Sequence, residues 1–311
     1  MKDYFNDKEA LDIPWVESPF FESLLQNSSH TEEEKIILQN YHRDGYIVVD
    51  SKITDEHIEQ IKRDLDLYLS QQKGNRQVNY EYTESPRPFQ LWTRSDAIKK
   101  LAVNENVMST LKLLYAKNPF PFSTINFLKG SEQPMHSDAI HFHTIPQLWM
   151  VGVWVALEDV DEENGTLKVI PGSHKWGTWE YHNLKLPHPD EIENGEVVLY
   201  GEYEHFIRSM IRQHSVEPHI IKIKKGQAVI WASNTLHGSI PIIDNDRTRY
   251  AQAIHYFFEG CEKHYHPMFS KPYLGEYASK WCSDENNIKT FIDSGTVEMG
   301  GKTLKGEPDE L

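Results

Sequence analysis

The chain has few cysteines, few cations relative to acids, and no long apolar run. Two Cys among 311 residues are too few for a zinc finger or an iron–sulfur cluster. Asp and Glu number 47 against 32 Lys and Arg, and the net charge of −15 disfavours nucleic acid or an anionic membrane as the main partner. No segment approaches the roughly 18 consecutive apolar residues of a transmembrane helix.

The amino-terminal sequence also lacks the features of a signal peptide. It has no basic start followed by an apolar core. We therefore expect a cytoplasmic protein in which Cys261 and Cys282 stay reduced. No feature of the sequence indicates an oligomeric state.

Histidines and aromatic residues, in contrast, are abundant. The sequence contains 16 His, and aromatic residues make up 12% of the chain. The aromatic content argues for a packed core and against disorder. Many imidazoles beside few thiols favour a metal site built from nitrogen and oxygen ligands.

The pattern of the chain changes from helical to β-rich near Pro119. The first 118 residues are mostly helical by pattern, with Thr31 and Thr54 as helix caps and a further amphipathic helix over 97–116. The predicted strands are residues 121–129, 148–157, 166–170, 219–224, 227–232 and 249–257. Many short strands without alternating helices favour an antiparallel barrel or jelly roll. Residues 175–217, with a predicted helix near 201–214, interrupt the strands as an insertion.

Three separated residues suggest a metal site. His136 and Asp138 lie two positions apart, so on a strand both would point to the same face. His237 follows an apolar strand and could complete the set. Two His and one carboxylate on one side of the metal is the ligand set of non-haem Fe(II) oxygenases, which leaves positions open for a co-substrate and O₂.

Each part of this set also has a simpler interpretation. A His-x-Asp sequence by itself is commonly a surface turn or a hydrogen-bonded pair. His141 and His143 form a His-x-His sequence that could bind metal in a cupin, but no Glu follows within a few residues. A further residue outside the three candidate ligands therefore decides between these interpretations.

This further residue is an arginine, which lies twelve residues after His237. Arg249 begins a predicted strand, and an inward-facing Arg in a barrel needs an anionic partner. Its planar fork suits a carboxylate, and Ser239 could add a hydroxyl. Arg247 is the alternative anchor because it shares strand parity with Arg249. Alternatively, Arg249 could be an exposed cation near an acidic turn, with no role in binding.

The order of these motifs resembles the phytanoyl-CoA dioxygenase family of Fe(II)/2-oxoglutarate oxygenases, which includes ectoine hydroxylase-like enzymes. The resemblance rests on His-x-Asp at 136–138, NGTLKVIPGSHK at 164–175, His-Gly-Ser at 237–239, Arg249, and YHRDGYIVVDSKIT at 41–54. It implies a mainly β fold with flanking helices, namely a double-stranded β-helix (jelly roll, cupin-like). It also implies one oxygenase domain over 1–311, with helical support at 1–118, a β-helix core at 119–260 and an extension at 261–311.

The resemblance implies roles for individual residues. By motif match, His136, Asp138 and His237 are the iron ligands, Arg249 anchors the 2-oxoglutarate C5 carboxylate, and Ser239 is its neighbour. Gln133, just before the ligand segment, is expected to contact co-substrate or substrate, and no residue beyond the ligands is assigned as a general acid or base. The implied activity is hydroxylation of a small molecule with Fe(II), 2-oxoglutarate and O₂, releasing succinate and CO₂. Halogenating relatives lack the carboxylate ligand that Asp138 supplies here.

A second class of function stays open at this point. The chain could be a non-catalytic metal-binding barrel used for sensing or assembly. Among neighbouring positions, Phe142 and His143 are candidates for the substrate pocket, Lys129 is a candidate contact, and His266 is expected at the surface.

Overall fold

The computed structural model describes residues 2–71 and 87–278, and the backbone of two short segments at 297–299 and 302–304. Cys282 and most of the predicted extension at 261–311 lie outside these residues. Within the described part of the chain, no helix is long and apolar enough to cross a bilayer.

The helices are concentrated in the amino-terminal third, as predicted. The described α-helices are Phe21–Gln26 (α1), Glu32–Asp44 (α2), Asp55–Gln71 (α3), Asp96–Ala102 (α4), Glu105–Tyr115 (α5) and Gly195–His214 (α6). Helix α2 begins at the predicted cap, where the Thr31 hydroxyl accepts a hydrogen bond from the Glu34 N–H. It ends at Gly45, whose φ of 74° is a left-handed conformation that glycine adopts without strain.

The single helix predicted over 97–116 is wrong, because two helices occupy this segment. Helix α4 stops at Ala102 and α5 starts at Glu105. Between them, the Asn104 side chain accepts a hydrogen bond from the Val107 N–H at 3.0 Å. Asn competes for backbone donors in this way, so it favours a helix start over a helix interior.

The strands form antiparallel sheets, as predicted. The described strands are Tyr46–Asp50 (β1), Pro119–Phe127 (β2), His143–Ile145 (β3), Met150–Ala156 (β4), Leu167–Val169 (β5), His219–Ile220 (β6), Gln227–Ala232 (β7), His237–Ser239 (β8), Ala251–Phe258 (β9), Lys263–Tyr265 (β10), Val297–Met299 (β11) and Lys302–Leu304 (β12). A large sheet has the order β1-β7-β4-β9-β2, and a small sheet has the order β6-β5-β8. Strands β3 and β10 pair separately, as do β11 and β12. Among the described residues these sheets do not close into a continuous barrel.

The two faces of the large sheet pack against different partners. One face, with Val153 and Ile254, joins helix residues such as Ile61 and Leu111 in one apolar cluster. The other face presents Trp154, Trp231 and Ala253 to the small sheet, where they cluster with Leu167 and Val169. Alternation along each strand produces this division. The space between the sheets is therefore lined by the second face.

The insertion at 175–217 forms a third packing unit. Its helix α6 is longer than the predicted 201–214 and buries Leu199, Tyr203 and Ile207. These side chains cluster with Met135 and Ile140, which flank the predicted metal ligands. The insertion thus packs directly beside the candidate site.

Candidate metal centre

The structure brings the three predicted ligands together. One nitrogen or oxygen from each of His136, Asp138 and His237 lies within 4.8 Å of the others, and no other such group of His, Cys, Asp or Glu occurs in the described residues. Asp138 Oδ1 lies 3.8 Å from His136 Nε2 and 3.6 Å from His237 Nε2. All three residues are buried. His141 and His143 do not form the alternative cupin-type cluster.

Backbone hydrogen bonds hold the two histidines side by side. His136 and His237 form an isolated antiparallel bridge, and each N–H donates to the other residue's carbonyl at 2.9 Å. His136 Nδ1 contacts the Pro134 carbonyl at 2.9 Å, and His237 Nδ1 contacts the Thr235 carbonyl at 3.0 Å. A carbonyl only accepts, so Nδ1 carries the proton, and Nε2, which lies on the side of Asp138, carries the lone pair in both rings.

The electrostatics of the site favour neutral imidazoles around a carboxylate. Burial, together with the neighbouring His237, lowers the pKa of His136 to about 3. Burial alone would raise the pKa of Asp138, but His237, His255, His136 and the Trp231 N–H together hold it below its usual range. The Trp231 indole N–H donates to Asp138 Oδ2 at 2.7 Å. Deprotonated imidazoles and an ionised carboxylate are the states that bind a metal.

Gln133 lies beside the candidate ligand His136. Its amide nitrogen lies 3.1 Å from His136 Nε2 and donates to that atom. Its amide oxygen accepts from Arg87 Nη1 at 3.2 Å. Arg87 is a buried residue that the sequence pattern does not indicate. It places a second cation near the site, and this charge lowers the pKa of Arg249.

Arg249 is 1% exposed and only partly hydrogen-bonded. Its Nη1 donates to the Gly165 carbonyl at 2.6 Å and to Ser239 Oγ at 3.3 Å, and its guanidinium packs over Phe127 and Trp154. Its buried Nε and Nη2 have no hydrogen-bond partner in the part of the chain that the structure describes. Burial, together with the nearby Arg87, lowers the pKa of Arg249 to about 9. A buried cation with two unused donors suits a carboxylate ligand.

Arg247, the alternative anchor, lies at the protein surface. Its Nη1 lies 2.7 Å from Asp161 Oδ1, and both side chains are about one third exposed, at 34% and 39%. Within the described residues, Arg249 and not Arg247 faces the space beside Ser239.

Of the remaining residues discussed from the sequence, some lie in the site and others lie outside it. Phe142 lies in the site, with its ring 5.0 Å from the His255 ring. His143 instead contacts the Tyr265 hydroxyl at 2.9 Å. Lys129 donates to the Asn245 carbonyl at 2.6 Å, in an exposed loop. The surface position predicted for His266 is wrong, because this residue is 1% exposed.

Two site residues were missed by the sequence-based prediction. His255 Nε2 lies 3.7 Å from Asp138 Oδ2. Its strand parity with Arg249 could have identified it, since residues 249, 251, 253 and 255 share one face. His141 lies beside His136 with 6.5 Å between the ring centroids, and it stacks on Tyr200 of the insertion.

Gly152 is required by the close approach of Trp231. The two residues are opposite each other on β4 and β7, and a Cβ at position 152 would lie 2.4 Å from the indole. Gly152→Ala should therefore destabilise the fold by about 1–3 kcal/mol through overpacking, and loosen the Trp231–Asp138 hydrogen bond. Urea unfolding and metal titration measure the two effects. Gly201→Ala is the matched control, because no atom lies within 4 Å of its added Cβ, and it should be neutral or stabilising. Equal behaviour of the two variants would contradict this account.

The ligand cluster and the buried arginine fit the chemistry of one metal and one dicarboxylate. Two imidazole nitrogens and one carboxylate converge from one side, which is the ligand set of non-haem Fe(II) oxygenases. The two unused donors of Arg249, beside the Ser239 hydroxyl, suit the remote carboxylate of a dicarboxylate bound in the same space.

Sequence comparisons identify relatives across most of the chain. A sequence model of the phytanoyl-CoA dioxygenase (PhyH) family matches residues 41–249. The bovine peroxisomal phytanoyl-CoA dioxygenase is 23% identical over 85% of this chain and 77% of its own length. The zebrafish phytanoyl-CoA dioxygenase domain-containing protein 1 is 39% identical over 43% of this chain and 55% of its own length. The chain thus spans between about half and three quarters of these two relatives.

Solved structures share the fold. SnoN, a non-haem α-ketoglutarate-dependent epimerase from nogalamycin biosynthesis, superposes with a TM-score of 0.54 at 17% identity, covering 74% of this chain and 84% of SnoN. EctD from S. alaskensis, solved with 2-oxoglutarate and 5-hydroxyectoine, gives a TM-score of 0.51 at 17% identity, covering 71% and 74% of the two chains. The family match spans more than half of the chain and includes all three candidate ligands. The chain belongs to the phytanoyl-CoA dioxygenase family of dioxygenases, which use Fe(II), 2-oxoglutarate and O₂.

Proposed function

We propose that the chain is an Fe(II)/2-oxoglutarate-dependent hydroxylase of a small molecule. The observation that carries this proposal is the pairing of the three-residue ligand cluster with the buried, partly unpartnered Arg249. We further propose that the two facing sheets form a double-stranded β-helix within one oxygenase domain. In this arrangement the insertion at 175–217 and the helical segment at 1–118 pack around the β-helix core.

The proposed ligands of iron are His136, Asp138 and His237. Their side chains offer two neutral nitrogens and one negative oxygen, and their hydrogen bonds to Pro134, Thr235 and Trp231 orient them. When bound, the iron centre supplies O₂ activation coupled to oxidative decarboxylation of 2-oxoglutarate to succinate and CO₂. The carboxylate of Asp138 favours hydroxylation over halogenation, since a halogenating site leaves that position to chloride.

Arg249 and Ser239 are proposed to hold the far carboxylate of 2-oxoglutarate. The unused Nε and Nη2 of Arg249 can form a two-point contact with one carboxylate, and Ser239 Oγ lies beside Nη1. Ser131 fixes the Ser239 hydroxyl through a 2.8 Å contact. Gln133 is proposed to contact the co-substrate near the metal, because its amide already reaches the ligand atom of His136.

Uncharged rings surround the rest of the proposed centre. His255 lies against Asp138, Phe142 packs on His255, and His141 stacks on Tyr200 at 5.3 Å between ring centroids. Burial lowers the pKa of His141 to about 4, so its ring is neutral at physiological pH. Such a wall excludes water and offers hydrogen-bonding groups without charge. It supports a compact substrate whose reacting end is uncharged.

Succinate formation tests the proposal. Purified protein with Fe(II), ascorbate, 2-oxoglutarate and O₂ should release succinate, and His136→Ala should lower this rate by about 100-fold or more, since even partners of metal ligands contribute 10- to 100-fold. His205→Ala, on an exposed position of α6, is the control and should retain the rate. Absence of succinate from the wild-type protein, or equal rates for wild type and His136→Ala, would instead favour a non-catalytic metal-binding protein.

A further inference from the structure

Tyr203 connects the insertion to the segment that carries two candidate ligands. It lies on α6, is 0% exposed, and belongs to no sheet. Its hydroxyl oxygen accepts from the Ser137 N–H at 3.1 Å and lies 2.9 Å from Ser137 Oγ. Ser137 is the residue between His136 and Asp138. A side chain 66 positions away in sequence therefore holds the peptide between the two ligands.

The conformation at Ser137 determines whether both ligands point to one metal. Its backbone is extended, with φ −114° and ψ 147°, and an extended residue places its two neighbours on the same side. The Ser137 N–H has no other hydrogen-bond partner among the described residues. If the phenol were removed, this buried donor would be left unpaired, and the segment would gain freedom to rotate.

The helix that bears Tyr203 is firmly attached beside the site. Leu199 and Ile207, one turn on either side of Tyr203, pack in the same cluster as Met135 and Ile140. Burial raises the pKa of Tyr203 to about 12, so its hydroxyl stays protonated and can both accept from Ser137 and donate to it. The phenol is therefore presented from a packed helix and not from a loose loop.

We propose that Tyr203 is a positioning residue of the metal centre, and that helix α6 of the insertion thereby contributes to metal affinity. This inference rests on the proposed role of His136 and Asp138 as ligands. The phenol holds Ser137 extended, so that His136 Nε2 and the Asp138 carboxylate face the metal together. Residues that orient ligands through one intermediate contact typically contribute 10- to 100-fold to metal affinity.

Titration of the metal-free protein with Co(II), a stand-in for Fe(II) that resists oxidation, tests this role. Tyr203→Phe keeps the ring and removes only the hydroxyl, so we expect about 10-fold weaker Co(II) binding and an altered visible spectrum of the bound Co(II). Ser137→Ala keeps the backbone N–H contact and should weaken binding less. Tyr256→Phe is the matched control. It removes another buried hydroxyl, which donates to the Ala102 carbonyl, and it should leave Co(II) affinity unchanged.

The outcomes separate this inference from the proposed function. If Tyr203→Phe lowers the urea midpoint but binds Co(II) with wild-type affinity and spectrum, the hydroxyl serves packing alone and the inference is overturned. If Tyr256→Phe weakens binding as much as Tyr203→Phe, the effect is a general loss of stability and the inference is also overturned. If the wild-type protein itself binds no Co(II), the proposed metal centre fails first.

Discussion

Arg249→Gln should weaken 2-oxoglutarate binding by roughly two to three orders of magnitude while leaving metal affinity nearly unchanged. Removing one partner of a buried, hydrogen-bonded charge pair costs about 2–5 kcal/mol. Arg249 has two buried donors without a partner among the described residues, and its guanidinium packs over Phe127 and Trp154 beside Ser239. Glutamine reaches less far and carries no charge. Calorimetric titration of the metal-loaded protein with 2-oxoglutarate measures the loss directly.

Thermal unfolding provides a second measurement of the same variant. A ligand at 100 times its Kd stabilises a protein by about 2.7 kcal/mol, so 2-oxoglutarate should raise the Tm of the wild-type protein. The Arg249→Gln variant should lose this increase. Without 2-oxoglutarate its stability should change much less, because a buried cation with unused donors contributes little to folding.

Arg249→Lys and Arg247→Gln complete the comparison. Lysine keeps the positive charge but loses the planar fork, so its affinity should lie between those of wild type and Arg249→Gln. Arg247 forms a half-exposed pair with Asp161, and such pairs contribute at most about 1 kcal/mol. Arg247→Gln should therefore bind 2-oxoglutarate like the wild type. Loss of binding in Arg247→Gln alone would move the anchor to that residue.

Asp138→Asn should lower Fe(II) affinity by about 100-fold or more and abolish succinate formation. The substitution keeps the size of the side chain, and its amide oxygen can still accept from Trp231. It removes the negative charge of a carboxylate whose pKa lies below its usual range. The metal would then be left with two neutral nitrogen ligands and one weak oxygen donor. Anaerobic Fe(II) titration, followed by the succinate assay at saturating iron, measures both effects.

Asp161→Asn is the control for this second prediction. Asp161 is a partly exposed carboxylate that pairs with Arg247 at the surface, and its loss should leave Fe(II) affinity within experimental error. If Asp138→Asn retained wild-type Fe(II) affinity, the carboxylate could not be a ligand, and the three-residue assignment would have to be abandoned.

The ligand cluster could be predicted because two of its members are close in sequence and the third lies at the end of a recognisable strand. His136 and Asp138 are two residues apart, and His237 closes an apolar strand, so strand geometry and one chain return suffice to suggest the site. The choice between Arg249 and Arg247 could not be made in this way, since both share one parity. It depends on the contact of Arg247 with Asp161, 86 positions away, which no local pattern encodes.

Long-range polar contacts account for most of the differences. His143 was a candidate for the substrate pocket, but Tyr265, 122 positions later, binds its ring and in turn donates to Glu180. The insertion could be located by its interruption of the strands, whereas its contact with Ser137 could not be predicted. The break between α4 and α5 was, in contrast, a local signal, because Asn104 is a good helix cap within an otherwise helical pattern.

The hydrogen bonds of the two candidate ligand rings have a consequence for how a metal would enter the site. Each imidazole is oriented by the carbonyl two residues before it, Pro134 for His136 and Thr235 for His237. The ring angle and the protonated nitrogen are thus fixed by a three-residue stretch of backbone and do not depend on the ion. Metal entry therefore costs little conformational entropy. The proposed site would thus take up an ion without refolding of the chain around it.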